Sequence, residues 1–226
     1  MGKKVWIPIY SWYIEGADKN IIVDTAVSAT NWIKSRPGRQ AKDIINLREG
    51  LSKFGLTPSD IDTVVLTHLH TDHFLNIDQC KNAKAIVQEE ELRFAYNPGT
   101  PFAQSYRKEL YEGINFETVK ANATIFPGIE VILTPGHTPG TQSVLVNTEL
   151  GKVVISGFCC LYEHFAEKSD ILPACMDAIA AYESIVKVKE IADIIVPLHS
   201  PWFLDVDHIP SKNFRKKGGV KENQKP

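Results

Sequence analysis

The sequence predicts a layered α+β fold with two β-sheets, and three observations carry that expectation. Apolar strand-like runs and helical runs are interleaved along the chain, with strands in the majority. Of the 226 residues, 43% are hydrophobic, which suits one sizeable core better than two small ones. Several strand-like runs also stop at a histidine, and loops at strand ends are where side chains from distant sequence converge.

The elements follow in order. Residues 5–14 and 20–26 ("NIIVDTA") read as two strands joined by the polar turn "EGADKN", a hairpin signal. In "RQAKDIINLREGLSKFG", Ile44, Leu47, Leu51 and Phe54 recur at helical spacing, and Gly55 supplies the stop. "TPSDIDTVVLTH" gives a turn and a buried strand with His68 at its end, and "AKAIVQEEELRFAY" a strand running into a short helix. Residues 97–116 ("NPGTPFAQSYRKELYEGINF") carry proline, glycine and aromatics without clear periodicity. They read equally as a lid or substrate loop and as an ordinary surface excursion. Beyond them come strand 129–134, the loop "TPGHTPGTQS", strands 143–147 and 152–156, and an amphipathic helix near 176–192. Strand 193–196 then leads into "PLHSP". Residues 1–211 are expected to form a single domain and 212–226 a flexible basic tail.

Composition excludes several classes of function. A net charge of -2 and a pI near 6.4 give no pull toward nucleic acid or anionic membrane. Four cysteines in a chain of this length do not make a disulfide framework, so a reducing, cytoplasmic compartment is expected. The stretch "MGKKVWIPIYSWYIEG" lacks the apolar run and small-residue cleavage site of a signal peptide. No run approaches the ~20 apolar residues of a spanning helix, so a soluble protein without a membrane partner is expected.

The histidines carry the chemistry. Of seven, three stand within the six residues "HLHTDH": His68, His70 and His73, with Asp72 among them. His137 and His199 lie far downstream, each after an apolar strand-like run. Imidazole and carboxylate at this density suit a zinc-like divalent ion. Alternate residues of an extended segment face the same way, so His68 and His70 can pinch one metal. Asp72 and His73 follow a turn and can point to a second position. His164 and His208 fall outside the pattern and read as surface histidines.

"THLHTDH" resembles the HxHxDH signature of the metallo-β-lactamase superfamily, and the resemblance extends over most of the chain. "NIIVDTA" is similar to the family's early strand and Asp24 turn, "TPGHTPG" to its third-histidine loop and "VPLHS" to its last-histidine strand end. "VWIPIYSWYIEG", "LTPSDIDTVVLTHLHTDH" and "TPGHTPGTQS" most resemble the N-acyl-homoserine lactonase group. The resemblance implies a four-layered αββα sandwich with metals at one edge of the sheets. It implies a first site of His68, His70 and His137, and a second of Asp72, His73 and His199. Asp24 would support the ligand loops, with a plain turn-forming aspartate as the alternative.

One position departs from the family. The superfamily usually supplies a metal-bridging aspartate, commonly as Gly-Asp, after the strand preceding the long C-terminal helix. Here that place is "SGFCC", and Phe158 stands where the carboxylate is expected. Three explanations are open: Cys159 or Cys160 is a thiolate ligand, with Cys159 slightly favoured; water or hydroxide alone bridges two ions; or the site holds one ion. The plain alternative is that both cysteines are core packing.

The implied cofactor is zinc, as two ions, with iron or manganese as alternative metals and one ion if nothing bridges. The implied reaction is opening of a lactone of the N-acyl-homoserine type, or of a related carboxylic ester, by hydroxide on the metal. Asp72 would pass a proton to the leaving alkoxide. Tyr162 lies close to the position of a tyrosine that holds the substrate carbonyl in the lactonases. Thr141 stands where that group often has a second histidine. Three other readings compete: a glyoxalase II-like thioester hydrolase, a mononuclear-iron oxygen-dependent enzyme and a non-catalytic metal-binding module. The expected partner is a small-molecule substrate, and a homodimer is among the allowed assemblies.

Overall fold

The computed structural model describes residues 5–99, 103, 105–160, 162–165, 173–206 and 208–209, the side chains of Tyr162 and Glu163 excepted. The chain divides into two compact units, one of Ile9–Ala121 and one of Met1–Pro8 with Asn122–Pro226. Each unit contains one five-stranded sheet.

The Ile9–Ala121 unit runs β1 (Trp12–Ile14), β2 (Ile21–Val23), α1 (Ala29–Ser35), α2 (Leu47–Ser52), β3 (Thr63–Val65), α3 (Thr71–Phe74), β4 (Lys84–Gln88), α4 (Glu89–Tyr96) and β5 (Phe116–Val119). Its strands lie in sequence order, with β1 antiparallel to β2 and the remaining pairs parallel. Parallel strands are covered on both faces, so their sequences are continuously apolar rather than alternating. Ile21, Ile22, Val23, Val64 and Val65 are all fully buried accordingly. The predicted hairpin is present in the register Trp12↔Val23, though its strands are only three residues long.

The helical stripe at 44–54 is half right. Asn46 caps α2, accepting from Glu49 N–H at 2.9 Å while its own N–H reaches the Glu49 carboxylate at 3.0 Å. That reciprocal capping box starts the helix at Leu47. Leu47 and Leu51 are buried, whereas Ile44 lies outside the helix and is 70% exposed. The 97–116 segment is more than a surface excursion. Among its described residues, Tyr106 and Tyr111 are buried, and its last residue opens β5.

The other unit carries β6 (Ala123–Phe126), β7 (Ile129–Leu133), β8 (Gln142–Thr148), β9 (Gly151–Ile155), α5 (Ala178–Ile191) and β10 (Ile194–Val196). The sheet order is β10-β9-β8-β7-β6, parallel between β10 and β9 and antiparallel elsewhere. Asp177 caps α5, its carboxylate accepting from Ile179 and Ala180 N–H at 2.9 and 3.0 Å. Ala181, Ser184, Ile185 and Val188 recur at helical spacing and form its buried face. Ile185 and Val188 join a core with Ile132, Leu145 and Val154 from three adjacent strands, and with Phe158, Cys160 and Phe165. Each such aliphatic side chain removed from water contributes roughly 1.5–3 kcal/mol. Among the described residues no helix is long and apolar enough to cross a membrane, and all four cysteines are free thiols.

Candidate metal centre

The HxHxDH segment occupies the chain between the end of β3 and α3. His70 is extended (φ -73, ψ 145), and α3 then turns the chain. His68 Nε2 and His70 Nδ1 stand 3.1 Å apart, with their rings edge-on at 82°. One turn later α3 presents Asp72 and His73, and the His73 ring centroid lies 4.3 Å from that of His68.

Asp24 holds this cluster from beneath. It follows β2, is fully buried, and has a left-handed backbone (φ 55) that few residues other than glycine adopt. Its Oδ1 accepts from Thr67 N–H at 2.8 Å, and its Oδ2 accepts from the Thr67 hydroxyl at 2.8 Å and lies 2.9 Å from His73 Nδ1. With Nδ1 on Asp24, the His73 Nε2 faces Asp72 at 3.5 Å. Burial would depress the His73 pKa, but Asp72 and Asp24 outweigh it and raise the imidazole to about 10.

A second layer grips Leu69, the residue between the paired histidines. Its N–H donates to Glu91 Oε1 at 2.9 Å, and its carbonyl accepts from the Tyr111 hydroxyl at 3.5 Å. Tyr106 donates its hydroxyl to the same Glu91 Oε1 at 3.1 Å, and its ring lies 5.2 Å from that of His70. Burial, with Glu91 adding to it, pushes the Tyr111 phenol up, so it stays a neutral donor. Sequence reasoning missed these three residues. Glu91 is the last of three acids opening α4, where a helix favours acids anyway.

In the other unit the "TPGH" loop leaves β7. His137 Nδ1 donates to the Ala174 carbonyl at 2.6 Å, which fixes the tautomer and leaves Nε2 as the lone-pair nitrogen. Gly136 (φ +127) is needed here, because a Cβ would lie 2.4 Å from Ala181 N at the start of α5. Its carbonyl also accepts from Met176 and Asp177 N–H at 2.7 and 3.0 Å. Thr141 is a buried brace, its hydroxyl accepting from Thr138 N–H at 3.0 Å and bonding the Thr138 hydroxyl at 2.6 Å. His199, after β10, is oriented like His137, with Nδ1 donating to the Pro8 carbonyl at 2.8 Å.

At "SGFCC" the side chain in the expected carboxylate position belongs to the core. Phe158 is 1% exposed and sits 5.7 Å from the Phe165 ring. Cys160 joins the same cluster, 3.0 Å from Ser156 Oγ, and burial pushes its thiol up to about 12. Core packing is therefore the reading that Cys160 fits. Cys159 is half-buried. Tyr162 opens a 3-10 turn at Tyr162–Phe165, but the side-chain role expected of it lies outside what is described. His208 is exposed and His164 half-buried.

The donor chemistry fits a divalent ion of the zinc type. His68 and His70 bring ring nitrogens together, the Asp72 carboxylate stands 3.5 Å from His73 Nε2, and His73, His137 and His199 are each engaged at Nδ1. Such contacts to the second ring nitrogen orient ligand imidazoles in metal sites. Fold and motif thus define a class, and the chain belongs to the metallo-beta-lactamase superfamily, whose model matches residues 5–157. An N-acyl homoserine lactonase from Bacillus sp is 28% identical over 204 residues, covering 84% of this chain and 78% of the relative. Metallo-beta-lactamase domain-containing protein 1 of Xenopus laevis is 30% identical over 164 residues, covering 72% and 64%. A solved N-acyl homoserine lactone hydrolase, with the product N-hexanoyl-L-homoserine bound at its catalytic metal centre, matches with a TM-score of 0.74. That match has 25% identity and covers 89% of this chain and 84% of the other. The metallo-β-lactamase fold expected from the sequence is the fold these proteins share.

Proposed function

We propose that this protein is a metal-dependent hydrolase that opens a lactone of the N-acyl-homoserine type, or a related carboxylic ester. The carrying observation is the convergence of His68, His70, Asp72 and His73 in a chain whose relatives include N-acyl homoserine lactonases. His68, His70 and His137 would hold one ion, and Asp72, His73 and His199 a second. Nitrogen and carboxylate donors support zinc as both ions.

A divalent ion held there supplies an acidified water and a polarised carbonyl. The protein's own groups supply the rest. Asp24 keeps Nδ1 of His73 occupied, so that Nε2 is the atom offered forward. The Asp72 side chain is 17% exposed beside a fully buried imidazole, which suits a carboxylate that takes a proton and passes it on. As the ring opens, the C–O bond breaks, the leaving alkoxide takes that proton, and the product is a hydroxy acid. One proton per turnover reaches solvent at neutral pH. Tyr162 would hold the substrate carbonyl, a reading supported by its place in the sequence close to that of the lactonases' tyrosine. Four cysteines outside any disulfide support a cytoplasmic, reducing location.

The test is a panel of N-acyl homoserine lactones of several chain lengths, other γ-lactones and thioesters on metal-quantified protein, followed by proton release. Lactones should be opened by the wild type and not measurably by His68→Ala. Absence of turnover on every lactone and ester at full metal loading would overturn the proposal. Faster turnover of thioesters would replace the substrate class.

A further inference from the structure

We infer that Glu91 is a positioning residue for the His68–His70 pair and couples that pair to the segment 105–111. The inference rests on the reading of His68 and His70 as metal ligands but not on which substrate is hydrolysed.

The geometry is a bracket around one peptide residue. Two histidines flanking a single residue stay at one point only while that residue's backbone keeps its conformation, because a rotation there swings the rings apart. At Leu69 both backbone polar groups are tied to side chains: the N–H donates to Glu91 Oε1 and the carbonyl accepts from the Tyr111 hydroxyl. Neither bond belongs to a strand, since β3 ends at Val65. Leu69, Glu91, Tyr106 and Tyr111 are all at most 3% exposed, so water does not readily replace these partners.

Glu91 Oε1 also accepts from the Tyr106 hydroxyl, and the Tyr106 ring stands tilted at 49° against His70. One carboxylate oxygen thus fixes the backbone between the histidines and the aromatic that packs on one of them. Tyr106 sits in turn against Phe94 on α4, their rings 5.2 Å apart and nearly perpendicular. Two tyrosines of the 97–116 stretch therefore clamp the HxH turn, which gives the aromatics of that stretch a specific role.

A buried carboxylate is a costly way to hold a backbone N–H, because its remaining lone pairs also need partners. If Glu91 served packing alone, a core-filling side chain in its place would leave His70 where it is; if it positions the pair, losing the bond to Leu69 N–H shifts the ring. A positioning role and a packing role therefore part company in what they do to the bound ion.

The experiment uses the full chain loaded with cobalt(II) in place of the native metal. Visible spectrum, cobalt affinity by competition with a chelating dye, thermal midpoint, kcat and KM are compared for wild type, Glu91→Ala, Glu91→Gln, Tyr106→Phe and His68→Ala. Glu91→Ala should weaken cobalt binding about 10–100-fold, as loss of outer partners of metal ligands does, and should alter the spectrum. It should also lower kcat at metal saturation more than it raises KM. Glu91→Gln keeps an acceptor oxygen and should recover most of the affinity. Tyr106→Phe keeps the ring on His70 but loses the hydroxyl bond, so a smaller loss of the same sign is expected even if Glu91→Ala folds poorly. Wild-type affinity, spectrum and kcat in the folded Glu91 and Tyr106 variants, with only the thermal midpoint lowered, would overturn the inference and leave the metal reading standing. A wild type that binds cobalt no better than His68→Ala would overturn both.

Discussion

Cys159 and Cys160 are neighbours in sequence with different surroundings. Cys160 belongs to one buried cluster with Ile132, Leu145, Phe158 and Phe165, and burial pushes its thiol up to about 12, which makes thiolate unfavourable at neutral pH. Cys159 is half-buried and stands outside that cluster. Replacing Cys160 with serine puts a more polar hydroxyl into an apolar cluster and should cost roughly 1–3 kcal/mol without changing metal content. Cys159→Ser should leave the thermal midpoint nearly unchanged, and metal analysis of that variant reads the open question directly. Loss of one equivalent would make Cys159 a ligand, and full metal content would leave the bridge to water. At this scale the HxHxDH cluster was legible because its geometry is local: His68 and His70 flank a single residue, and one turn presents Asp72 and His73. Glu91 was not legible, because the groups it serves are 15 and 22 residues away and nothing in "QEEELRF" separates a buried carboxylate from its exposed neighbours.

Among the elements, the strand ends that carry site residues are held by contacts that tolerate little added volume. Gly157 shows this most sharply: a Cβ there would lie 1.7 Å from the Gln142 carbonyl oxygen, a backbone atom that cannot swing away. Gly157→Ala would have to part the end of β9 from the start of β8, so a loss on the order of 3 kcal/mol or more is expected by denaturant unfolding. A loss under about 0.5 kcal/mol, the range of ordinary surface substitutions, would contradict the packing described. The same scale explains what the sequence hid. α1 buries no residue, and β5 and β6 bury none either, so neither a helical nor an alternating apolar pattern was there to read. α5 was legible because its buried residues fall at helical spacing and Asp177 marks its start. The stripe at 44–54 overextends its helix because Ile44 matches by spacing alone, whereas the Asn46–Glu49 capping box decides where the helix begins.

For the molecule as a whole, the buried histidines link stability to metal and pH together. In the metal-free chain the His73 pKa of about 10 lies above its ordinary 6.5, so the imidazole stays protonated at neutral pH. A raised folded pKa stabilises the metal-free fold fully below about pH 6.5, and that contribution fades as pH rises toward 10. A metal ion needs the neutral imidazole and must displace the same proton, so its affinity moves the opposite way and strengthens with rising pH. A ligand that binds only the folded state contributes about 2.7 kcal/mol at one hundred times its dissociation constant. Two such ions would contribute roughly 5 kcal/mol, or roughly 10–20 °C in Tm for a chain of this size. Removing metal with a chelator is therefore expected to lower Tm by about that amount at pH 8 and by clearly less at pH 6, with about two equivalents of metal released. The gap widens with pH for two reasons at once: the metal-free fold loses the charged His73 pair while the loaded fold gains affinity. Tm values indifferent to the chelator at both pH values would mean that these histidines are a satisfied polar core rather than a metal centre.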